Sequence, residues 1–158
     1  MSRKKTIVVI QGPGRKGKSS TILNFANLVA NKYPIGKASQ ELLRREHFSK
    51  SNPQTLVDIR LTLEINKQVL AIESIGDPYS HLYKRLIEQI TKYKADFILC
   101  ACRSSGQTVL DILSAAGDDY HIVWSSPYGS LVDSMINTHN NIKAKHILDV
   151  IKDIGGFK

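Results

Sequence analysis

Cysteine, tryptophan and acidic residues are all scarce in this 158-residue chain, and it contains no long apolar run. With only two cysteines it lacks the disulfide framework on which small secreted domains depend. Cys100 and Cys102 stand in an apolar stretch and are expected to be small buried core residues. A zinc site would need further ligands placed nearby, so neither a disulfide nor zinc is expected. No segment approaches the roughly 18 consecutive apolar residues of a membrane span. The basic start Arg3, Lys4 and Lys5 is followed by an apolar run, Ile7 to Ile10, far too short for a signal-peptide core. The expectation is a cytoplasmic protein with no membrane partner.

What is present is ordinary globular material, 42% hydrophobic and 23% charged, in a length that buries one core without covalent staples. A single domain over residues 1–158 is expected, with no repeats and no low-complexity tract. The deficit of acid, 14 carboxylates against 22 lysines and arginines, leaves a net charge of +8. That excess points to an anionic partner. The charges are scattered over both termini, residues 37–50 and the segments after residue 80, with no zinc-finger spacing, heptad run or RNA-binding aromatic motif. A nucleic acid or an acidic protein as partner therefore rests on charge alone.

Periodicity predicts strands alternating with helices. Thr6 to Ile10 is a β-branched apolar run of the kind buried on both faces of a sheet, and glycines follow it directly. From Lys18 the apolar positions Ile22, Phe25, Ala26 and Val29 have helical spacing, closed by Tyr33, Pro34 and Gly36. Residues 41–46 are compatible with a short helix, and residues 49–54 with a loop. Ile59, Leu61, Leu63 and Ile65 alternate with Arg60, Thr62 and Glu64, which predicts a strand with one wet face near a sheet edge. Asn66 and Lys67 turn that strand into a buried one, residues 69–72, as an antiparallel hairpin. Leu82, Leu86, Ile90 and Tyr93 predict an amphipathic helix with Pro78 near its start. Residues 97–102 and 120–124 are further strands. Residues 107–116, stopped at Gly117, and about 130–154 are further helices. The expected fold class is α/β: a three-layer sandwich with a mostly parallel five-stranded sheet, one antiparallel edge hairpin strand, and helices on both faces.

Gly12, Pro13, Gly14, Arg15, Lys16, Gly17, Lys18 and Ser19 match G-x-x-x-x-G-K-[ST] between a buried strand and an amphipathic helix. Glycines in such a turn let backbone N–H groups converge on phosphate oxygens, and the helix adds its positive end. Residues 7–28 thus resemble the P-loop NTPase superfamily, which implies ATP or GTP with Mg²⁺, ATP being favoured. The resemblance gives Lys18 the β- and γ-phosphates, Ser19 the metal, and Ser20 a place further along the phosphate chain.

Superfamily members carry an acidic residue at the end of a neighbouring strand to hold Mg²⁺, and Glu73 ends residues 69–72 in that manner. Glu73, Ser74, Ile75 and Gly76 also resemble the D-x-x-G segment of small GTPases, in which the glycine N–H senses the γ-phosphate. The same comparison places Thr55 as the switch threonine on the metal and Asp77 as the residue that orients water. The GTPase guanine motif, however, is missing: the segments beginning Asn31-Lys32, Asn66-Lys67 and Thr91-Lys92 all lack its aspartate. Arg103, in the polar turn after residues 97–102, is the candidate arginine for phosphate or base, and Tyr128 could stack on a base. Paired Arg44 and Arg45 would suit an acceptor phosphate in a nucleotide kinase. Three functions follow as expectations: a slow NTPase with a γ-phosphate switch over residues 37–57 and 73–80, a small-molecule or nucleotide kinase, and a nucleotide-dependent adaptor.

Overall fold

A computed structural model describes residues 4–14, 17–44, 57–128 and 133–157. The first strand, β1 (Lys5–Gln11), leads through the glycine-rich turn into α1 (Lys18–Lys32). Then come β2 (Ala38–Arg44), β3 (Val57–Ile65), β4 (Gln68–Glu73), α2 (Leu82–Thr91), β5 (Phe97–Cys102), α3 (Gln107–Ala116) and β6 (Tyr120–Ser125). A 3-10 turn, Asp133–Met135, precedes the last helix, α4 (Ile136–Asp153). The strands form one sheet in the order β2-β3-β4-β5-β1-β6.

The α/β class and the five expected strands are all there, and β2 adds a sixth where residues 41–46 had suggested a helix. Pairing decides that segment: all of β2 runs antiparallel to β3, from Ala38 opposite Leu63 to Arg44 opposite Val57. Tertiary pairing overrides a local preference that was weak to begin with. The strand expected at the edge, β3, therefore lies one place inside it. β3 is antiparallel to both its neighbours, and the remaining pairs are parallel.

The sheet is apolar on both faces because it is covered on both. Val8, Ile10, Ile72, Leu99 and Ala101 point to one side and pack with Ile22, Phe25 and Val29 of α1 and Ala144, Ile147, Leu148 and Ile151 of α4. Ile7, Val9, Ala71, Ile98, Cys100 and Cys102 point to the other side, against Leu82 and Leu86 of α2 and Ile112, Ala115 and Ala116 of α3. Complete burial of side chains such as Ile22, Phe25 or Leu86 contributes roughly 1.5–3 kcal/mol apiece. Both cysteines sit in the second layer as free buried residues. Burial pushes the Cys100 thiol well above its ordinary pKa and that of Cys102 up to about 11, so they behave as small apolar groups. No described helix is long and apolar enough to cross a membrane.

The expected hairpin turn forms, whereas α2 begins and ends elsewhere than expected. Asn66 and Lys67 turn with φ of 49° and 63°, the doubly left-handed turn that matches the twist of a hairpin. Pro78, by contrast, stays in a turn, and α2 starts only at Leu82 after His81 adopts φ 54°. The helix also ends at Thr91, which leaves Tyr93 beyond it.

The link from β4 to α2 lies hard against β5. A Cβ at Gly76 would stand 2.6 Å from both the carbonyl carbon and oxygen of Ala101 and 2.8 Å from the nitrogen of Cys102. Those are backbone atoms of a central strand and cannot yield. Gly76→Ala is expected to destabilise the fold by about 1–3 kcal/mol, read as a lower urea midpoint at unchanged m-value. An unaltered midpoint would show that the link can move away from β5.

Candidate functional site

In an open α/β sheet the ligand edge is the one at the carboxyl ends of the parallel strands. Here that edge gathers the turn after β1, the link after β4, the turn after β5 and the segment after β6. Because β3 runs the opposite way, its first residues arrive at the same edge. A site built there can draw on residues far apart in sequence.

The turn after β1 is tied down before it becomes α1. Gly12 donates its N–H to the Cys102 carbonyl at 3.2 Å, and Gln11 Nε2 donates to the Ser104 carbonyl at 2.9 Å. Gly17 takes φ 83°, a left-handed conformation that glycine adopts readily, and its carbonyl accepts the first helical bond from the Thr21 N–H at 2.9 Å. A Cβ at Gly17 would meet Asn140 Oδ1 of α4 at 2.8 Å, the same oxygen that accepts from Thr21 Oγ1 at 3.3 Å. The loop is thereby clamped between β5 and α4.

Lys18 is buried and folds back over the loop, with Nζ donating to the Gly12 carbonyl at 2.8 Å and to the Pro13 carbonyl. Its ammonium thus lies inside the turn, on the loop's own carbonyls. Ser20 is half-buried in the first turn of α1. Arg15, Lys16, Arg45 and Thr55 lie outside the described residues, and with them the switch threonine and half of the proposed arginine pair.

Ser19 meets a carboxylate, but not the expected one. Its Oγ lies 3.2 Å from Asp58 Oδ1 and 3.3 Å from the Ser74 carbonyl. Asp58 and Ser74 are both buried. Ser74 Oγ donates to Asp58 Oδ1 at 3.0 Å and accepts the Ile59 N–H at 2.8 Å, which locks the start of β3 to the end of β4.

Glu73, the acid expected at the metal, faces the opposite layer, away from Ser19. Along β4, Leu70 and Ile72 belong to the α1 and α4 side, Ala71 to the α2 and α3 side, and Glu73 follows Ala71 by alternation. Its carboxylate is fully buried, with Oε1 accepting from Arg60 Nε at 2.7 Å and Gln89 Nε2 at 3.0 Å. Oε2 stands 3.2 Å from Arg85 Nε, an ion pair whose angle falls short of a hydrogen bond. Arg60 also reaches Glu88 at 2.7 Å. Burial opposes the Arg60 charge, yet Glu73 and Glu88 outweigh it and hold its pKa above the usual value. At Arg85 burial wins over the attraction of Glu73, with Arg60 adding repulsion, so its pKa falls below the usual value. The supposedly wet face of β3 is therefore the wall of a buried ionic cluster under α2.

That cluster positions the site from behind. Arg85 donates to the Ile75 carbonyl at 2.6 Å and the Ser80 carbonyl at 2.7 Å, so it fixes the link that carries Ser74 and Asp77. Asp77 Oδ1 accepts from Arg103 Nη2 at 2.7 Å. The Arg103 guanidinium in turn fills the space beside Gly14 where a Cβ would stand. Gly76, expected to sense phosphate, has the close approach to β5 as a reason of its own to be glycine. Gly12, Gly14, Gly17, Lys18, Ser19, Asp58, Ser74, Asp77 and Arg103 thus converge on one edge, and Glu73 does not.

Asp58 stands just before the alternating run of residues 59–65 and belongs to no motif in the sequence. The hairpin held the signal: with the turn at Asn66 and Lys67, Arg60 pairs with Glu73, which brings Asp58 two residues past the end of β4, beside the link that carries Ser74.

No protein-family model matches the chain, and no curated protein or solved structure matches it either. The functional reading therefore stands on the site.

Removing one partner of a buried ion pair leaves uncompensated charge. Glu73→Ala should strand Arg85 and leave Arg60 to Glu88, and cost about 3–5 kcal/mol, measured by urea denaturation. A loss below about 1 kcal/mol, the range of exposed pairs, would show that the cluster admits water.

Proposed function

We propose that the chain binds a Mg²⁺-nucleoside triphosphate at Gly12–Ser19 and hydrolyses it slowly. The observation that carries this reading is the Ser19–Asp58 contact at 3.2 Å, placed where the strand–loop–helix motif needs a hydroxyl and a carboxylate together. Among the described residues no three His, Cys, Asp or Glu side chains gather into a metal cage. Mg²⁺ on a phosphate chain does not need one: it retains waters and takes one or two protein oxygens besides the phosphates. Ser19 Oγ and Asp58 fit that requirement, since the serine hydrogen can stay on Asp58 or the Ser74 carbonyl while an oxygen lone pair faces the cation. When bound, Mg²⁺ would neutralise charge on the β- and γ-phosphate oxygens.

The chain's own groups supply the rest. Lys18 exchanges the Gly12 and Pro13 carbonyls for phosphate oxygens, which leaves its charge in place and turns the loop N–H groups to the ligand. Arg103, already against Gly14, is placed to stabilise charge on the phosphoryl group in transfer, and Asp77 is its holder rather than the residue that orients water. Residues 74–81 touch Ser19 through the Ser74 carbonyl and Arg103 through Asp77, so a change at the γ-phosphate reaches that link directly. This supports a switch there.

A ligand at 100 times its dissociation constant adds roughly 2.7 kcal/mol, a rise in Tm of about 5–10 °C for a chain of this size. Lys18→Ala should abolish most of that rise with or without Mg²⁺. Asp58→Asn should abolish chiefly the increment that Mg²⁺ adds. Equal Mg²⁺ increments in wild type and Asp58→Asn would remove Asp58 from the site, and unchanged triphosphate affinity in Lys18→Ala would overturn the reading as a whole. Phosphate release that needs no added acceptor distinguishes hydrolysis from a kinase.

A further inference from the structure

A second lysine at the same edge has no evident structural reason to be there. Lys143 of α4 is only 3% exposed, and among the described residues no carboxylate pairs with it. Its Nζ donates to Ser125 Oγ at 2.5 Å and lies 4.7 Å from the centre of the Tyr128 ring. Tyr128 is itself held by His146, with rings stacked at 15° and the phenol oxygen 3.0 Å from His146 Nδ1. An ammonium has three N–H donors, and a hydroxyl with a ring face engages two of them. Burying such a cation without an anion or a strong acceptor is costly. Burial accordingly lowers the Lys143 pKa.

The cluster adjoins the phosphate loop. Ser125 ends β6 opposite Ile10 of β1. Pro127 Cδ lies 3.5 Å from where a Cβ of Gly12 would stand, and Asn140, one turn before Lys143 on α4, packs on Gly17. The sheet order puts Asp58, on β3, to one side of β1 and Ser125–Tyr128, after β6, to the other. Since the metal grips the β- and γ-phosphates, a triphosphate with its metal at Ser19 and Asp58 directs its nucleoside away from β3 and toward β6.

We infer that Lys143, with Ser125 and the Tyr128 ring, forms the nucleobase subsite and selects bases that present a keto oxygen, as in guanine, hypoxanthine or uracil, over bases that present an amino group there. The inference rests on the triphosphate reading above. A keto oxygen accepts the remaining lysine N–H, and a hydrogen bond to a charged donor is among the stronger ones. The exocyclic amine of adenine would set donor against donor beside a buried cation, a clash that discriminates as effectively as the favourable contact. This would give guanine-type selectivity without the missing aspartate motif.

The test compares inosine and adenosine triphosphates, which differ at position 6 of the ring, with inorganic tripolyphosphate as the base-free control. Binding is measured calorimetrically with Mg²⁺ in wild type, Lys143→Met and Lys18→Ala. Wild type should prefer the inosine nucleotide by roughly tenfold or more. Lys143→Met keeps the buried stem and sheds the charge; it should bring the preference close to one and leave tripolyphosphate affinity unchanged. The wild-type comparison stands even if that variant folds poorly. Equal affinities in wild type, or an undiminished preference in Lys143→Met, would overturn the inference while tripolyphosphate binding lost in Lys18→Ala still upheld the phosphate site. Binding of none of the three ligands would overturn both.

Discussion

The two-residue period of β4 decides what the site is made of. A strand at the centre of a three-layer fold must offer apolar groups to both sides, and β4 does so with Leu70 and Ile72 toward α1 and α4 and Ala71 toward α2 and α3. Continuing that alternation sends Glu73 into the second layer, where it is tolerable only because Arg60, Arg85 and Gln89 surround it. It sends Ser74 toward the loop, where its carbonyl meets Ser19. The acid opposite Ser19 has to come from another strand, and the antiparallel run of β3 delivers Asp58.

Most of the fold was legible because its signals are local. The β-branched run of β1, the glycines after it, the alternation of β3 and the turn at Asn66 and Lys67 each act over a few residues. What was not legible depends on distant partners. Residues 38–44 carry no alternation of their own and become a strand because β3 offers a row of backbone partners. Pro78 suggested a helix start, yet the link it belongs to is held by Arg85 from within α2 and pressed against Ala101, so the helix opens at Leu82 instead.

The same division runs through the site. The glycine-rich turn is a contiguous motif that can be read out of context, whereas an acid at a strand end cannot be placed until its face is known. Glu73 fits the one-dimensional pattern, yet it is Asp58 that lies beside Ser19. Arg103 stands between the cases: its turn was recognised as lying at the ligand edge, and its pairing with Asp77 and contact with Gly14 came only from the arrangement of β1, β5 and the link after β4.

The basic excess of the chain also changes meaning once its charges are located. Arg60 and Arg85 are absorbed by Glu73 and Glu88 beneath α2 and add little to the field outside. Lys18, Arg103 and Lys143 instead face the carboxyl edge, where Asp77 and Asp58 are acidic groups in direct contact with the site. A net charge of +8 by itself points only to an anionic partner. Three cations thus gather at one edge, two of them buried. The Lys18 ammonium has already lost its water in the fold and holds the Gly12 and Pro13 carbonyls in its place, whereas buried Lys143 engages only Ser125 and the Tyr128 ring among the described residues.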